Sequence, residues 1–316
     1  MKAVMGAAVM LLLAGAAAGQ SWPARAVKIV VPYPAGSGPD MVGRIVAEDL
    51  RQQFGQPFIV DNKAGALGSI GTTEVAKSAP DGYTILLTTN TPQAANVALF
   101  KKLAYDPVKD FAPITRVITT NMVLLVRPDF PAKSIQEFLA EARQRSGDIT
   151  AAYATAGSQV SIATLESMGG FKSVMVPYKG IPPAVQDVVS GEVNYTFADL
   201  AIATAQIQGG TLRGLGVTSL KRTPLAPDLP ALAEELPGFE VTLWYGLVAP
   251  AGTPRPIVEK LHQAAVAAIG REETRARLAA AGLDPAPMTP EEFAEYIKSE
   301  IAKWTVAAKA AGIEPQ

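Results

Sequence analysis

The 316-residue chain has no cysteine and a single histidine, His262. Disulfides, thiolate metal sites and cysteine nucleophiles are therefore excluded, as is any metal centre built on two histidines. A Ser-His-Asp hydrolase would have to use His262 as its base. No Gly-x-Ser-x-Gly elbow is present, and Gly157-Ser158-Gln159-Val160-Ser161 does not fit one. Charge is scarce and balanced, with 28 Lys+Arg against 29 Asp+Glu and a formal net charge of −1. That balance offers no basic footprint for nucleic acid or for an anionic membrane surface. Beyond the N-terminus, charges or prolines interrupt every apolar run, so no membrane insertion of the mature chain is expected. What remains is a chain with 48% hydrophobic residues, long enough for two domains that each bury a core.

The first residues read as a targeting segment. Lys2 precedes an uncharged run over residues 3–19, which ends in the small residues Ala16, Ala17, Ala18 and Gly19. A basic start, an apolar middle and an A-x-A site describe a secretory signal peptide, expected over residues 1–20. No cysteine follows for lipid attachment. The mature protein is expected to be soluble and exported.

From there the pattern alternates strand and helix. Residues 27–32 (VKIVVP) predict a buried strand, and the spacing of Val42, Ile45, Val46 and Leu50 predicts a helix over 41–54. Further strands are predicted over 58–61, 83–88, 122–126, 149–153, 174–178, 193–197 and 212–218, with helices over 72–77, 134–145 and 160–168. Such alternation implies parallel sheets with helices on their faces. Thr253-Pro254 and Thr289-Pro290 each place a cap before an N1 proline, and Glu292 completes a capping box with Thr289. Phe293, Ile297, Ile301 and Trp304 form the buried stripe of the last helix.

Two strand–loop–helix units carry the functional signal. In the first, Val30-Val31-Pro32-Tyr33-Pro34-Ala35-Gly36-Ser37-Gly38-Pro39-Asp40 runs into a helix. Backbone N–H groups at the positive end of a helix make an anion site without a basic side chain. A dinucleotide fingerprint would need a third glycine, which Pro39-Asp40-Met41 does not supply, so no cofactor is expected. Asp40 reads as an N-cap or an i,i+4 partner of Arg44. The second unit, Ala151 to Ser158 (AAYATAGS), leads into a helix in the other half of the chain, where Thr155 and Ser158 add hydroxyls. Taken alone, either loop is equally a tight turn or a helix cap. The pairing, one per half, is what a ligand cleft between two α/β lobes needs.

The residues of the mature chain, in order, carry a resemblance. Trp22-Pro23, Pro32-Tyr33-Pro34-Ala35-Gly36, Ala64-Gly65-Ala66-Leu67-Gly68-Ser69-Ile70-Gly71, Pro80-Asp81-Gly82-Tyr83-Thr84, Lys109-Asp110-Phe111-Ala112-Pro113-Ile114, Val176-Pro177-Tyr178-Lys179-Gly180 and Trp244-Tyr245-Gly246-Leu247-Val248-Ala249-Pro250 together resemble the substrate-binding receptors of tripartite tricarboxylate transporters, also called Bug receptors. The resemblance implies a type II-like, two-lobed periplasmic binding fold of class α/β. Each lobe would be a mostly parallel sheet flanked by helices, with a small carboxylate ligand in the interlobe cleft. It places crossings near Thr120–Asn121 and Leu243–Trp244, so that residues 21–121 and 245–316 form lobe 1 and 122–244 form lobe 2. The implied location is the periplasm, membrane permease subunits are the implied partners of a monomer, no metal is implied, and the chain is not expected to be an enzyme. Carried over, the resemblance nominates Tyr33, Ala35, Gly36, Ser37, Thr89 and Asn90 in lobe 1. In lobe 2 it nominates Thr155, Ala156, Gly157 and Ser158, with Asp199 at the cleft wall. The second loop departs from the family pattern. Gly157 is followed by Ser158-Gln159-Val160-Ser161-Ile162, where a second Gly-Ser and a His-Leu pair are usual.

Several residues have two readings at this point. Trp244 is hinge packing or a cleft wall. Lys179 reaches a ligand or is a solvated charge. Asp199 accepts from a ligand amine or caps the next helix, and His262 reads as a boundary residue on a helix. A ligand sensor that signals to a membrane partner is the alternative function on the same fold, with a secreted hydrolase as the remaining one.

Overall fold

The structure, a computed structural model, describes residues 22–315; the expected signal peptide lies outside the described residues. The central β-branched runs become strands whose side chains are buried on both faces. β1 (Val27–Val31) has four of its five residues fully buried, which is the mark of a strand covered by helices on each side. α1 (Gly38–Phe54) follows, then β2 (Phe58–Asn62), α2 (Ser69–Ala76) and β3 (Thr84–Thr89). β1 pairs in parallel with both β2 and β3. A π-helical turn (Thr91–Ala95) and the short α3 (Asn96–Leu99) lead on to β4 (Phe111–Val126).

β4 joins the two halves of the molecule. Its residues from Phe111 to Asn121 pair antiparallel with β9 (Thr242–Pro250), and from Met122 to Val126 with β7 (Tyr195–Asp199) and β8 (Arg213–Val217). Between these come α4 (Ile135–Gln144), β5 (Thr150–Tyr153), α5 (Ala156–Gly169), β6 (Val174–Pro177), α6 (Ile181–Ser190) and α7 (Leu200–Gln208). After β9 come α8 (Arg255–Gly270), α9 (Glu272–Ala280), β10 (Asp284–Pro285) and α10 (Pro290–Ala310). The strands run in the order β2-β1-β3-β9-β4-β7-β5-β6, with β8 and β10 on β4.

Parallel pairing is confined to β2-β1-β3 and β7-β5-β6. The strands around the junction are antiparallel, so each half is a mixed sheet where a mostly parallel one was expected. The chain re-enters the first half through β9, and a strand returning beside β3 and β4 arrives antiparallel to both.

Helix ends follow their local chemistry. Thr289 caps α10 with the anticipated box to Glu292. Thr253 does not cap α8; its hydroxyl bonds Pro250 O at 2.7 Å, and the helix starts at Arg255. α1 begins at Gly38 and α5 at Ala156, each several residues before its first apolar repeat. Both extensions turn out to matter for the site. Trp244 is packing and not a cleft wall: it is fully buried, meets Phe293 and Tyr296 of α10 edge-on, and donates its indole N–H to Glu300 at 2.8 Å. His262 sits half-buried with Nδ1 3.1 Å from Ile114 O. No helix of the described residues is long and apolar enough to cross a membrane.

Candidate ligand-binding cleft

Four helices and the π-helical turn start at one place between the halves. Ser37 is the N-cap of α1, Thr155 of α5 and Asp199 of α7; Ile181 is the first residue of α6, and Asn90 precedes the π turn. All five line one cavity, together with Tyr33, Pro39, Thr89, Thr91, Met122, Leu243 and Tyr245. Each helix start carries the equivalent of about half a positive charge. The cavity therefore favours an anion although, among the described residues, no Lys, Arg or His lines it.

The polar atoms form a network. Tyr33 Oη and Thr89 Oγ1 are 2.7 Å apart, and Thr91 N–H donates to Thr89 Oγ1 at 3.2 Å. Burial holds both the Tyr33 and Tyr245 phenols well above their ordinary range, so both are neutral hydroxyls. Asn90 is only 2% exposed, and its Nδ2 has no protein partner. A buried amide without a partner is costly, and here it lines the cavity.

Asp199 is 4% exposed and is the one charged side chain among the lining residues. It accepts from Ile202 N–H and from Tyr245 Oη, both at 3.5 Å. Burial raises its pKa to about 6, and those two long hydrogen bonds only partly oppose the shift. The capping reading of Asp199 is realised, and the same carboxyl also faces the cavity.

The structure separates the nominated residues into two groups. Tyr33, Ser37, Thr89, Asn90, Thr155 and Asp199 come together around the cavity. Ala35 and Gly36 are exposed and do not line it. Gly36, at φ +80, shapes the turn, and its N–H donates to Asp40 Oδ2 at 2.9 Å, while Ser37 N–H is spent on Pro34 O at 3.3 Å. Of the N–H groups expected to cradle an anion at Ala35–Ser37, that of Gly36 is thus taken by the chain's own acid and that of Ser37 by a carbonyl. Burial alone would raise the Asp40 carboxyl, but Arg44, the Gly36 N–H and Asn62 hold it below the usual range. Arg44 Nε lies 3.0 Å from Asp40, as the i,i+4 spacing anticipated.

In the second loop Ser158 is turned inward. Its hydroxyl oxygen accepts from Ala154 and Thr155 N–H at 3.0 Å, and its N–H donates to Thr155 Oγ1. Ala156 N–H reaches across to Thr91 Oγ1 at 3.2 Å. Gly157 packs so closely that a Cβ there would lie 2.6 Å from Leu243 Cδ2 and 3.1 Å from Met122 Sδ. Ala156, Gly157 and Ser158 therefore build the second wall without lining the cavity.

The cleft is drawn nearly shut. About 350 Å³ of atom-free space lies among the lining residues, mouth included, but only about 20 Å³ admits the centre of a water molecule, room for one water. Three approaches close it. A Cβ on Gly38 would sit 2.9 Å from Asp199 Oδ1 and from Tyr245 Oη, and one on Gly180 would sit 2.5 Å from Pro34 Cγ. The third is the Ala156–Thr91 hydrogen bond.

Comparison with known proteins places this architecture. Residues 42–313 match the family model described as tripartite tricarboxylate transporter family receptor. The chain belongs to that family. It is 32% identical to the protein BugT of Bordetella pertussis over 311 residues, covering 96% of this chain and 95% of that protein. Among solved structures, R. palustris Rpa4515 with adipate superposes with a TM-score of 0.91 at 33% identity, covering 93% of this chain and all of the other. MatC from Rhodopseudomonas palustris, with bound malate, gives 0.84 at 34% identity, covering 90% and 99%. As a member of the receptor family, the protein is a solute-binding receptor with a two-lobed periplasmic-binding-protein fold.

Sequence reasoning missed Pro39, Thr91, Met122, Ile181, Leu243 and Tyr245 of the lining. Ile181 and Thr91 had a local signal, since each stands at a helix start beside a proline (Gly180-Ile181-Pro182 and Asn90-Thr91-Pro92). Met122, Leu243 and Tyr245 lie on the strands that join the halves, where only register decides which side chain reaches the cleft.

Proposed function

We propose that this receptor captures a small dicarboxylate in the cleft between α1 and α5 for uptake by a tripartite tricarboxylate-type permease. The observation that carries the reading is the convergence of four helix starts, with unpaired Asn90 Nδ2, on a cavity whose lining is uncharged apart from Asp199. Such a site holds an anion by backbone dipoles and hydroxyls, in the way helix N-termini bind phosphate and carboxylate. The adipate and malate in the related structures are ligands of that class. We assign Tyr33, Ser37, Thr89, Asn90, Thr91, Thr155, Asp199 and Tyr245 as the binding residues. Binding, without chemistry, suits a cavity that has no nucleophile–base pair among these residues.

The change of strand partner between Asn121 and Met122 supports dividing the molecule there. Residues up to 121 and from about 243 then form one lobe, and 122–242 the other. The N-terminal pattern, with the family's periplasmic relatives, supports export by cleavage near residue 20.

A thermal-shift titration of the protein without residues 1–20 tests the reading. A ligand present at 100 times its dissociation constant adds about 2.7 kcal/mol. Malate or adipate is expected to raise the melting temperature in a saturable way. Flat curves for both, and for succinate and citrate, would remove the carboxylate reading.

A further inference from the structure

Asp199 poses a problem that the anion-binding reading does not resolve. A site that takes a dicarboxylate already contains a buried carboxyl of its own, with no cation among the lining residues to offset it. We propose that Asp199 selects the ligand by charge: a doubly ionised dicarboxylate is captured together with one proton from solvent, and Asp199 holds that proton. The inference rests on the carboxylate reading above and adds the charge rule of the same site.

The geometry is specific. Asp199 Oδ1 and Oδ2 have one partner each, both at 3.5 Å, so the carboxylate is weakly satisfied for a group so deeply buried. Its oxygen stands against the Cα of Gly38, the first residue of α1, on the cavity wall where an incoming carboxylate would find the helix dipole.

The groups that face it cannot supply the missing positive charge. From β9 comes the Tyr245 hydroxyl, and from the loop after β1 the Tyr33 hydroxyl, both neutral. From α1 the nearest acid, Asp40, is turned to Arg44, Asn62 and Gly36. β4 presents Met122 in register with Asp199, and α7 itself, from Leu200 to Gln208, contains no charged residue. Two like charges that share so dry a space cannot both stay ionised cheaply, and the acid nearer neutrality takes the proton. Asp199 is poised for that role because burial has already moved its pKa up to about 6. Once protonated, its hydroxyl becomes a donor to the ligand. A ligand that brings its own ammonium would satisfy the same carboxylate without a proton.

Isothermal titration with malate, adipate and aspartate from pH 6 to pH 8 separates these cases. The wild type is compared with Asp199→Asn, a residue that caps a helix as well as aspartate does. In the wild type, malate and adipate affinity is expected to fall by up to about tenfold per pH unit. Two buffers of different ionisation enthalpy should report close to one proton taken up at pH 7.5. In Asp199→Asn the pH dependence should vanish. If malate or adipate binds equally across the range with no proton uptake, the charge rule is overturned and carboxylate capture stands. If aspartate binds at all pH values while both plain dicarboxylates are refused, Asp199 is an ammonium site and the proton is overturned. If none of the three binds, the carboxylate reading falls and takes this inference with it.

Discussion

Replacing Gly180 by alanine should weaken ligand capture while leaving the fold intact. Gly180 caps α6 with φ −177, an extended backbone that alanine adopts freely, so nothing within its own half resists the change. The resistance comes from across the cleft. The new Cβ would lie 2.5 Å from Pro34 Cγ and 2.6 Å from Pro34 Cδ, where ordinary contact is 3.4–4 Å. Pro34 is a ring closed on its own backbone and cannot rotate aside. The halves must therefore back off by about 1 Å at this point, and overpacking of that kind costs about 1–3 kcal/mol. Since each 1.4 kcal/mol is tenfold, malate or adipate should bind about five- to 150-fold more weakly by isothermal titration. The urea midpoint of the ligand-free protein should fall only slightly, because the halves can open to relieve the contact and the remaining cost is that of alanine as a poorer N-cap than glycine, partly offset by its smaller chain entropy. Pro34→Ala removes the two atoms that collide, so the double variant should recover most of the loss. Wild-type affinity in Gly180→Ala, or a loss that the double variant does not relieve, would refute this account of closure.

Asn90→Asp keeps the shape of the side chain but removes its donor. It should cost about 1.5–3 kcal/mol of carboxylate affinity, read by titration of malate at pH 7.5 with circular dichroism to check the fold. Glu300→Leu leaves the Trp244 and Trp304 indole N–H groups, which donate to its Oε2 at 2.8 and 3.0 Å, buried without an acceptor. Chemical denaturation should show a loss of about 2–6 kcal/mol, at about 1–3 kcal/mol for each stranded donor, far more than for an exposed acid such as Glu295.

The legible parts of the fold were those with a local cause. β1, α4 and the capping box of α10 follow from β-branched runs, amphipathic spacing and cap chemistry within a few residues. The full extent of β4 was not legible. Pro113 stands inside it, and its two ends bond different neighbours, so the strand exists only through partners far away along the chain, in β7 and β8 at one end and in β9 at the other. The site divides along the same line. Thr155 and Asp199 have the residue signature of caps, whereas in the first loop the cap reading falls on Asp40 and the structure gives the cap to Ser37, which the resemblance nominates. Asn90 and Thr89 were reached through family resemblance, and Tyr245 needed the antiparallel register that sets it beside Thr89. A Gly/Pro loop before a helix does expose N–H groups, but Asp40 lies one turn on and reaches back to claim one of them.

The interleaving of β9 between β3 and β4 also fixes an order of assembly. Leu86 must wait for Val248, and Thr120 for Leu243, before either gains its neighbour. A nascent chain that ends before Thr242 therefore holds two strands of the first sheet with bare edges, while its second half, from Met122 to Val217, already has all its pairing partners. Synthesis runs from the first residue, but the first sheet is finished late. Pairings so distant along the chain are slow to form, and until they do the exposed strand edges are where a chaperone, or another unfinished copy, would attach.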